Sequence, residues 1–63
     1  MKWTDVHEIA LALLDHHPDV DPMTVRFVDL MQWVQALPDF DDHRDRCNER
    51  ILEAIQMNWM DER

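Results

Sequence analysis

Carboxylates are the most abundant ionisable groups of this 63-residue chain. Its 14 Asp and Glu residues outnumber six Lys and Arg residues and give a formal net charge of −8. Such a surface repels phosphate backbones and anionic membranes. It attracts cations or the basic face of another protein, and salt weakens that attraction because it screens exposed charges. The composition therefore favours a protein partner or a cation, and it argues against nucleic acid and membranes as partners.

A first acidic set lies in the N-terminal third of the chain and consists of Asp5, Glu8, Asp15, Asp19 and Asp21. Asp5 and Glu8 are three residues apart, so they are neighbours on one face of a helix. We expect this set to form an electrostatic docking patch for a partner. The alternative is an ordinary solvated surface that only keeps the protein soluble.

A second acidic set lies in a loop and at the C-terminus and consists of Asp39, Asp41, Asp42, Asp61 and Glu62. Trp59 precedes the C-terminal pair, and an aromatic side chain beside carboxylates suits an interface anchor. We therefore include Trp59, Asp41, Asp42, Asp61 and Glu62 among the candidate partner-binding residues. For Trp59 the favoured interpretation is still a position in the core, where large aromatic side chains are usually found.

The basic cluster of Arg44, Arg46 and Arg50 is the best argument for DNA binding, since Arg46 and Arg50 are one helical turn apart. Carboxylates are interspersed among these arginines, and the net charge of −8 opposes contact with several phosphates. We expect the arginines to pair with the neighbouring acids instead, each exposed pair contributing about 0–1 kcal/mol.

Several classes of site are excluded by the single cysteine and the absence of glycine. One thiol cannot form an intrachain disulfide or a cysteine-ligated metal cluster, and Cys47 suits a small apolar position better than a reactive one. A phosphate-binding loop, a dinucleotide fingerprint and a nucleophile elbow all require glycine. Because no nucleophile, base and orienting group can be combined, we predict that the protein is not an enzyme.

The spacing of apolar residues predicts three helices that position these groups. The first covers residues 4–16, with Thr4 as its cap and Pro18 forcing its end. The second covers 28–37, and the third begins at Asn48 or Asp45.

The connections between the helices are predicted to be short. A single turn is expected over 22–25, an extended segment over 25–27, and a polar loop over 39–45 in which only Phe40 is buried. Residues 1–63 should form one all-α domain, a compact three-helix bundle of the helix-turn-helix type, with no full wing because one short strand cannot supply a hairpin.

The N-terminus lacks the basic-then-apolar pattern of a signal peptide, and no apolar run approaches the length that spans a membrane. A single cysteine also fits a reducing compartment. These features predict a cytoplasmic protein.

Blocks of sequence along the whole chain resemble the IscX (YfhJ) family. The blocks in the N-terminal half are Lys2-Trp3-Thr4-Asp5, Pro18-Asp19-Val20-Asp21-Pro22 and Thr24-Val25-Arg26-Phe27-Val28-Asp29-Leu30. Those in the C-terminal half are Trp33, Phe40-Asp41-Asp42, Asn48-Glu49, Ile51-Leu52-Glu53-Ala54-Ile55, Trp59 and Asp61-Glu62. The chain departs from the family pattern at Val28, where Thr or Ser is common, at His16 and His17, where Tyr is usual, and at Pro38 and His43, which interrupt an acidic run.

This resemblance implies a small acidic accessory protein of bacterial iron–sulphur cluster assembly, which acts as an adaptor and not as a catalyst. It implies binding to the cysteine desulfurase IscS in competition with the frataxin homologue CyaY, and access through IscS to the IscU scaffold and ferredoxin. It also implies weak iron binding. The family's fold, described as helix-turn-helix-like or winged-helix-like, agrees with the predicted bundle.

Iron could bind to the carboxylates, since oxygen ligands suit Fe3+ and a mixture of carboxylate and imidazole suits Fe2+. We expect weak binding through Asp5, Glu8, Asp19 and Asp21, and no tightly bound cofactor. No two histidines have the i, i+4 spacing of a helical metal pair. The adjacent His16 and His17 point in different directions along a helix, although either could contribute to a weak site.

The leading hypothesis is therefore an acidic adaptor that docks on a basic protein surface. Two alternatives stay open. The protein could be an Fe2+ donor or chaperone for cluster assembly, or a transcriptional regulator that uses its helix-turn-helix.

Overall fold

Three α-helices and two single-turn 3₁₀ helices make up the fold in a computed structural model that describes residues 1–63. The helices are α1 (Val6–His16), α2 (Phe27–Gln35) and α3 (Glu49–Glu62), and the 3₁₀ turns are Pro22–Thr24 and Arg44–Arg46. No β-strand is present. The predicted all-α three-helix bundle without a wing is confirmed.

The start of α1 differs from the prediction, because Asp5 and not Thr4 occupies the N-cap. A turn precedes the helix, in which the Asp5 N–H donates to the Lys2 carbonyl at 2.9 Å. The Asp5 carboxylate accepts the Lys2 N–H at 2.8 Å. This turn places Thr4 outside the helix, so the predicted cap at Thr4 is wrong.

The later caps follow the predictions. Asp21 Oδ1 accepts the Met23 N–H at 3.0 Å, with Pro22 at the first position of the 3₁₀ turn. Asn48 Oδ1 accepts the Ile51 N–H at 2.9 Å and caps α3. Short polar side chains at these positions satisfy backbone donors that the helix itself cannot.

The second helix is shorter than predicted and ends at Gln35. The backbone then forms a tighter, 3₁₀-type turn, in which the Leu37 N–H donates to the Val34 carbonyl at 3.1 Å. Pro38 explains this, because a proline disfavours helical geometry for the residue before it. Val25 is extended as predicted, but Phe27 already belongs to α2.

Ten apolar side chains form the core: Trp3, Ile9, Ala10, Leu13, Leu30, Val34, Leu37, Leu52, Ile55 and Trp59. Most of them lie on the apolar stripes of the three helices, whereas Trp3 precedes α1 and Leu37 follows α2. The most extensive packing is between α1 and α3. The helical stripes thus bury their apolar faces together, which leaves the carboxylates on the outside.

Candidate partner-binding surface

The excess negative charge is confined to part of the chain. Ten of the 14 carboxylates lie in segments 1–21, 39–43 and 61–63, whose only Lys and Arg residues are Lys2 and Arg63, so the side chains of these segments carry the whole net charge of −8. We call these the acidic segments. The balanced segments, 22–38 and 44–60, contain four carboxylates and four arginines, whose charges cancel.

The fold brings the acidic segments into contact with one another. His7 Nδ1 at the start of α1 lies 3.9 Å from Glu62 Oε1 at the end of α3. Arg63 Nη1 lies 3.7 Å from Asp21 Oδ1, in the turn after α1. Lys2 Nζ lies 3.6 Å from Asp41 Oδ2, in the loop after α2. The two acidic sets, which are far apart in the sequence, are therefore linked by direct side-chain contacts.

Five carboxylates of the acidic segments are exposed and have no ion-pair partner within 4.0 Å: Glu8, Asp15, Asp19, Asp39 and Asp61. Their side chains also form no hydrogen bond within the protein. These charges face water with nothing to neutralise them. They are the groups best placed to meet cations of a partner.

Asp42 has a structural role that the sequence analysis did not foresee. Its side chain is only 6% exposed. Oδ2 accepts the Trp3 N–H at 3.0 Å, and Oδ1 accepts the His43 N–H at 2.7 Å. The hydrogen bond from Trp3 is the main reason that the pKa of Asp42 is lowered; desolvation opposes it, and the His43 N–H, Arg46 and Lys2 assist. Asp42 therefore has almost no surface to offer a partner, and its prediction as a partner-binding residue is corrected.

Trp59 is completely buried, so its interpretation as a core residue is confirmed. Its ring packs edge-on against that of Trp33, with centroids 6.5 Å apart. The suggested role of Trp59 as an exposed anchor is corrected, because its side chain has no surface to offer. The indole Nε1 has no hydrogen-bond partner within the protein.

The candidate iron ligands are not assembled into a site, since no group of three or more His, Cys, Asp or Glu side chains converges anywhere in the protein. Asp5 is engaged with the Lys2 N–H, and Asp21 with Met23 and Arg63. His17 is stacked on Trp33 with centroids 4.2 Å apart. These residues do not fit a preformed iron site, and weak binding to separate carboxylates stays a prediction.

The arginine cluster behaves only partly as expected. Arg46 Nε lies 3.8 Å from Asp42 Oδ1, whereas Arg44 and Arg50 have no ion pair. The predicted pairing of all three arginines with their sequence neighbours is therefore wrong. Arg46 instead pairs with a loop carboxylate four positions earlier, which is already held in place by Trp3.

An apolar groove of about 280 Å³ lies between the first turns of α2 and α3, and sequence reasoning missed it. Its lining residues are Phe27, Val28, Met31, Cys47, Asn48, Glu49 and Leu52. Burial raises the pKa of the Cys47 thiol, so the thiolate is disfavoured and the residue acts as an apolar side chain. The available signal in the sequence was Val28, an apolar residue in the first turn of α2, whose side chain proves to be 52% exposed.

None of the helices is sufficiently long and apolar to cross a membrane.

Comparison with known proteins places the chain in a family. A Pseudomonas aeruginosa protein that is described as uncharacterised is 54% identical to this chain, over the whole of the chain and 96% of its own length. A family model described as iron-sulphur cluster assembly matches residues 1–63. The resemblance found in the sequence is thereby confirmed, and the chain belongs to the iron–sulphur cluster assembly family, the IscX (YfhJ) family.

Proposed function

We propose that the protein is an acidic adaptor of iron–sulphur cluster assembly that binds the cysteine desulfurase IscS and regulates its output. The observation that carries this proposal is the confinement of the whole net charge to the acidic segments, which contact one another in the fold. The family supplies the cellular process. The charge distribution supports a basic protein surface as the target within that process.

Binding of this kind depends on many weak contacts. Each exposed ion pair contributes only about 0–1 kcal/mol, so affinity arises from the sum over the free carboxylates. Long-range attraction also accelerates the encounter of the two proteins. Both effects weaken with salt, because exposed charges more than about 8 Å apart are screened at physiological ionic strength.

Competition with CyaY is part of this proposal. Two proteins that use one basic surface of IscS cannot occupy it together, so each displaces the other. Access to IscU and ferredoxin is indirect in this proposal and occurs through IscS.

The proposed role is that of an adaptor and not of a catalyst. The raised pKa of Cys47 disfavours the thiolate that a sulfur acceptor needs. Weak Fe2+ or Fe3+ binding fits the scattered free carboxylates of the acidic segments.

Calorimetry of the wild-type protein with IscS at about 50 and 200 mM salt tests the proposal. We expect binding that weakens strongly at the higher salt concentration, and displacement by CyaY. Absence of binding at low salt would overturn the proposal, as would an affinity that does not change with salt.

A further inference from the structure

The apolar groove between α2 and α3 is not explained by the acidic surface, because it lies entirely within the balanced segments. Leu52 forms its buried floor, and Phe27, Met31 and Cys47 are half-buried around it. Val28 is 52% exposed at its edge. Apolar side chains in such a depression remain partly in contact with water, so covering them is favourable.

The volume of the groove limits what can occupy it. Small-molecule sites in proteins usually measure about 300–1,000 Å³ and enclose most of the ligand. This groove, at about 280 Å³, lies just below that range and is open to solvent between the starts of α2 and α3, so it cannot enclose a ligand. A groove of this size and shape has room for a single long side chain of another protein.

The single negative charge in the groove, on Glu49, favours a cationic occupant. Glu49 is the only charged residue of the lining, it is exposed, and it has no ion pair. Leu52 lies three residues later on the same side of α3, whereas Arg50 projects roughly 100° away around the helix axis. A cation entering the groove would thus meet an unpaired carboxylate above an apolar floor.

We propose that the groove receives a Lys or Arg side chain of the desulfurase partner. The methylene stem of that side chain lies on Val28, Met31 and Leu52, while its charged end pairs with Glu49. This inference rests on the proposed function, because it assigns a second contact to the same partner. A second copy of this chain is disfavoured as occupant, since two molecules of net charge −8 repel each other.

Val28→Lys tests the inference, because the introduced side chain can lie in the groove and pair with Glu49 itself. Gln35→Lys is the matched control, since it adds the same charge to an exposed position of α2 away from the groove. Both variants should keep the wild-type fold by circular dichroism. We expect Val28→Lys to weaken IscS binding by about tenfold and Gln35→Lys by no more than about twofold.

The rate at which iodoacetamide alkylates Cys47 reports on the groove directly. Mass spectrometry of this protein measures that rate. We expect saturating IscS to slow the reaction by roughly fivefold or more, because the incoming side chain covers the thiol. A cysteine introduced as Gln35→Cys in a Cys47→Ser background should react at the same rate with and without IscS.

The outcomes separate the two proposals. If the wild-type protein does not bind IscS at low salt, the proposed function is overturned. If the wild type binds but Val28→Lys and Gln35→Lys behave alike and Cys47 is not protected, the groove is not a contact and this inference alone is overturned.

Discussion

The backbone N–H of Trp3 donates to Oδ2 of Asp42 at 3.0 Å, across 39 positions of the chain. Around this bond, the Trp3 indole donates to the His43 carbonyl at 2.9 Å, and the Asp41 N–H donates to the Met1 carbonyl at 2.9 Å. The Trp3 ring also packs edge-on against Phe40. The N-terminal segment and the loop after α2 are therefore held together as a unit, with Asp42 at its centre.

The lowered pKa of Asp42 predicts a pH-dependent contribution to stability. Because the folded state holds the pKa below its ordinary value of 3.8, the unfolded state binds the proton more readily. The stabilisation is complete above about pH 4–5 and is lost as the pH falls through 3.8 towards the lower pKa of the folded state. We expect Asp42→Asn to lower Tm at neutral pH, and the difference from wild type to shrink below that window.

Thermal melts followed by circular dichroism between about pH 2 and 7 measure this effect. Asp41→Asn is the neighbouring control, since the Asp41 side chain is 93% exposed and receives no backbone hydrogen bond. At neutral pH it should change Tm by less than Asp42→Asn does. A difference between Asp42→Asn and wild type that is the same at every pH would contradict the prediction.

The two fully buried tryptophans should respond differently to replacement by phenylalanine. Trp3 Nε1 donates to the His43 carbonyl, whereas Trp59 Nε1 has no partner in the protein. Both substitutions remove similar volume, but only Trp3→Phe removes a hydrogen bond, which contributes about 1 kcal/mol. Urea unfolding should therefore find Trp3→Phe less stable than Trp59→Phe by roughly that amount; equal losses would argue against the hydrogen bond.

Charge reversal at free carboxylates of α1 should weaken the proposed complex. Glu8→Lys combined with Asp15→Lys changes two exposed, unpaired positions, so the fold should be preserved. We expect IscS affinity at about 50 mM salt to fall by roughly tenfold or more, with a flatter dependence on salt.

The matched control is Asp45→Lys combined with Glu53→Lys, which changes the net charge equally but within the balanced segments. Its effect should be clearly smaller, because these residues lie outside the acidic segments and do not line the groove. Equal effects of the two pairs would show that total charge matters and not its position.

Iron binding is expected to be weak and dispersed, because no three potential ligands converge. Anaerobic calorimetry with Fe2+ should give low affinity that decreases with added salt and with the reversal at Glu8 and Asp15. Tight binding of one Fe2+ per chain in the absence of a partner protein would instead support the Fe2+ chaperone hypothesis.

Local patterns in the sequence were enough to establish the helical architecture and the chemical character of this protein. Apolar residues at helical spacing, together with Pro18 and Pro38, define three amphipathic segments that can be stable only when packed together. Asp21 and Asn48 cap helices through hydrogen bonds to residues two and three positions away, so the local sequence suffices to predict these caps. The net charge is likewise a property of composition.

The roles of individual acidic residues depend on contacts between distant parts of the chain. Asp41 and Asp42 are adjacent, yet one faces water and the other holds the N-terminal segment, because Trp3 meets only the second. The groove at Val28 and Glu49 arises in the same way, where the starts of two helices lie side by side. Periodicity indicates which face of a helix is apolar. Whether another element covers that face, and which element does so, depends on packing in three dimensions.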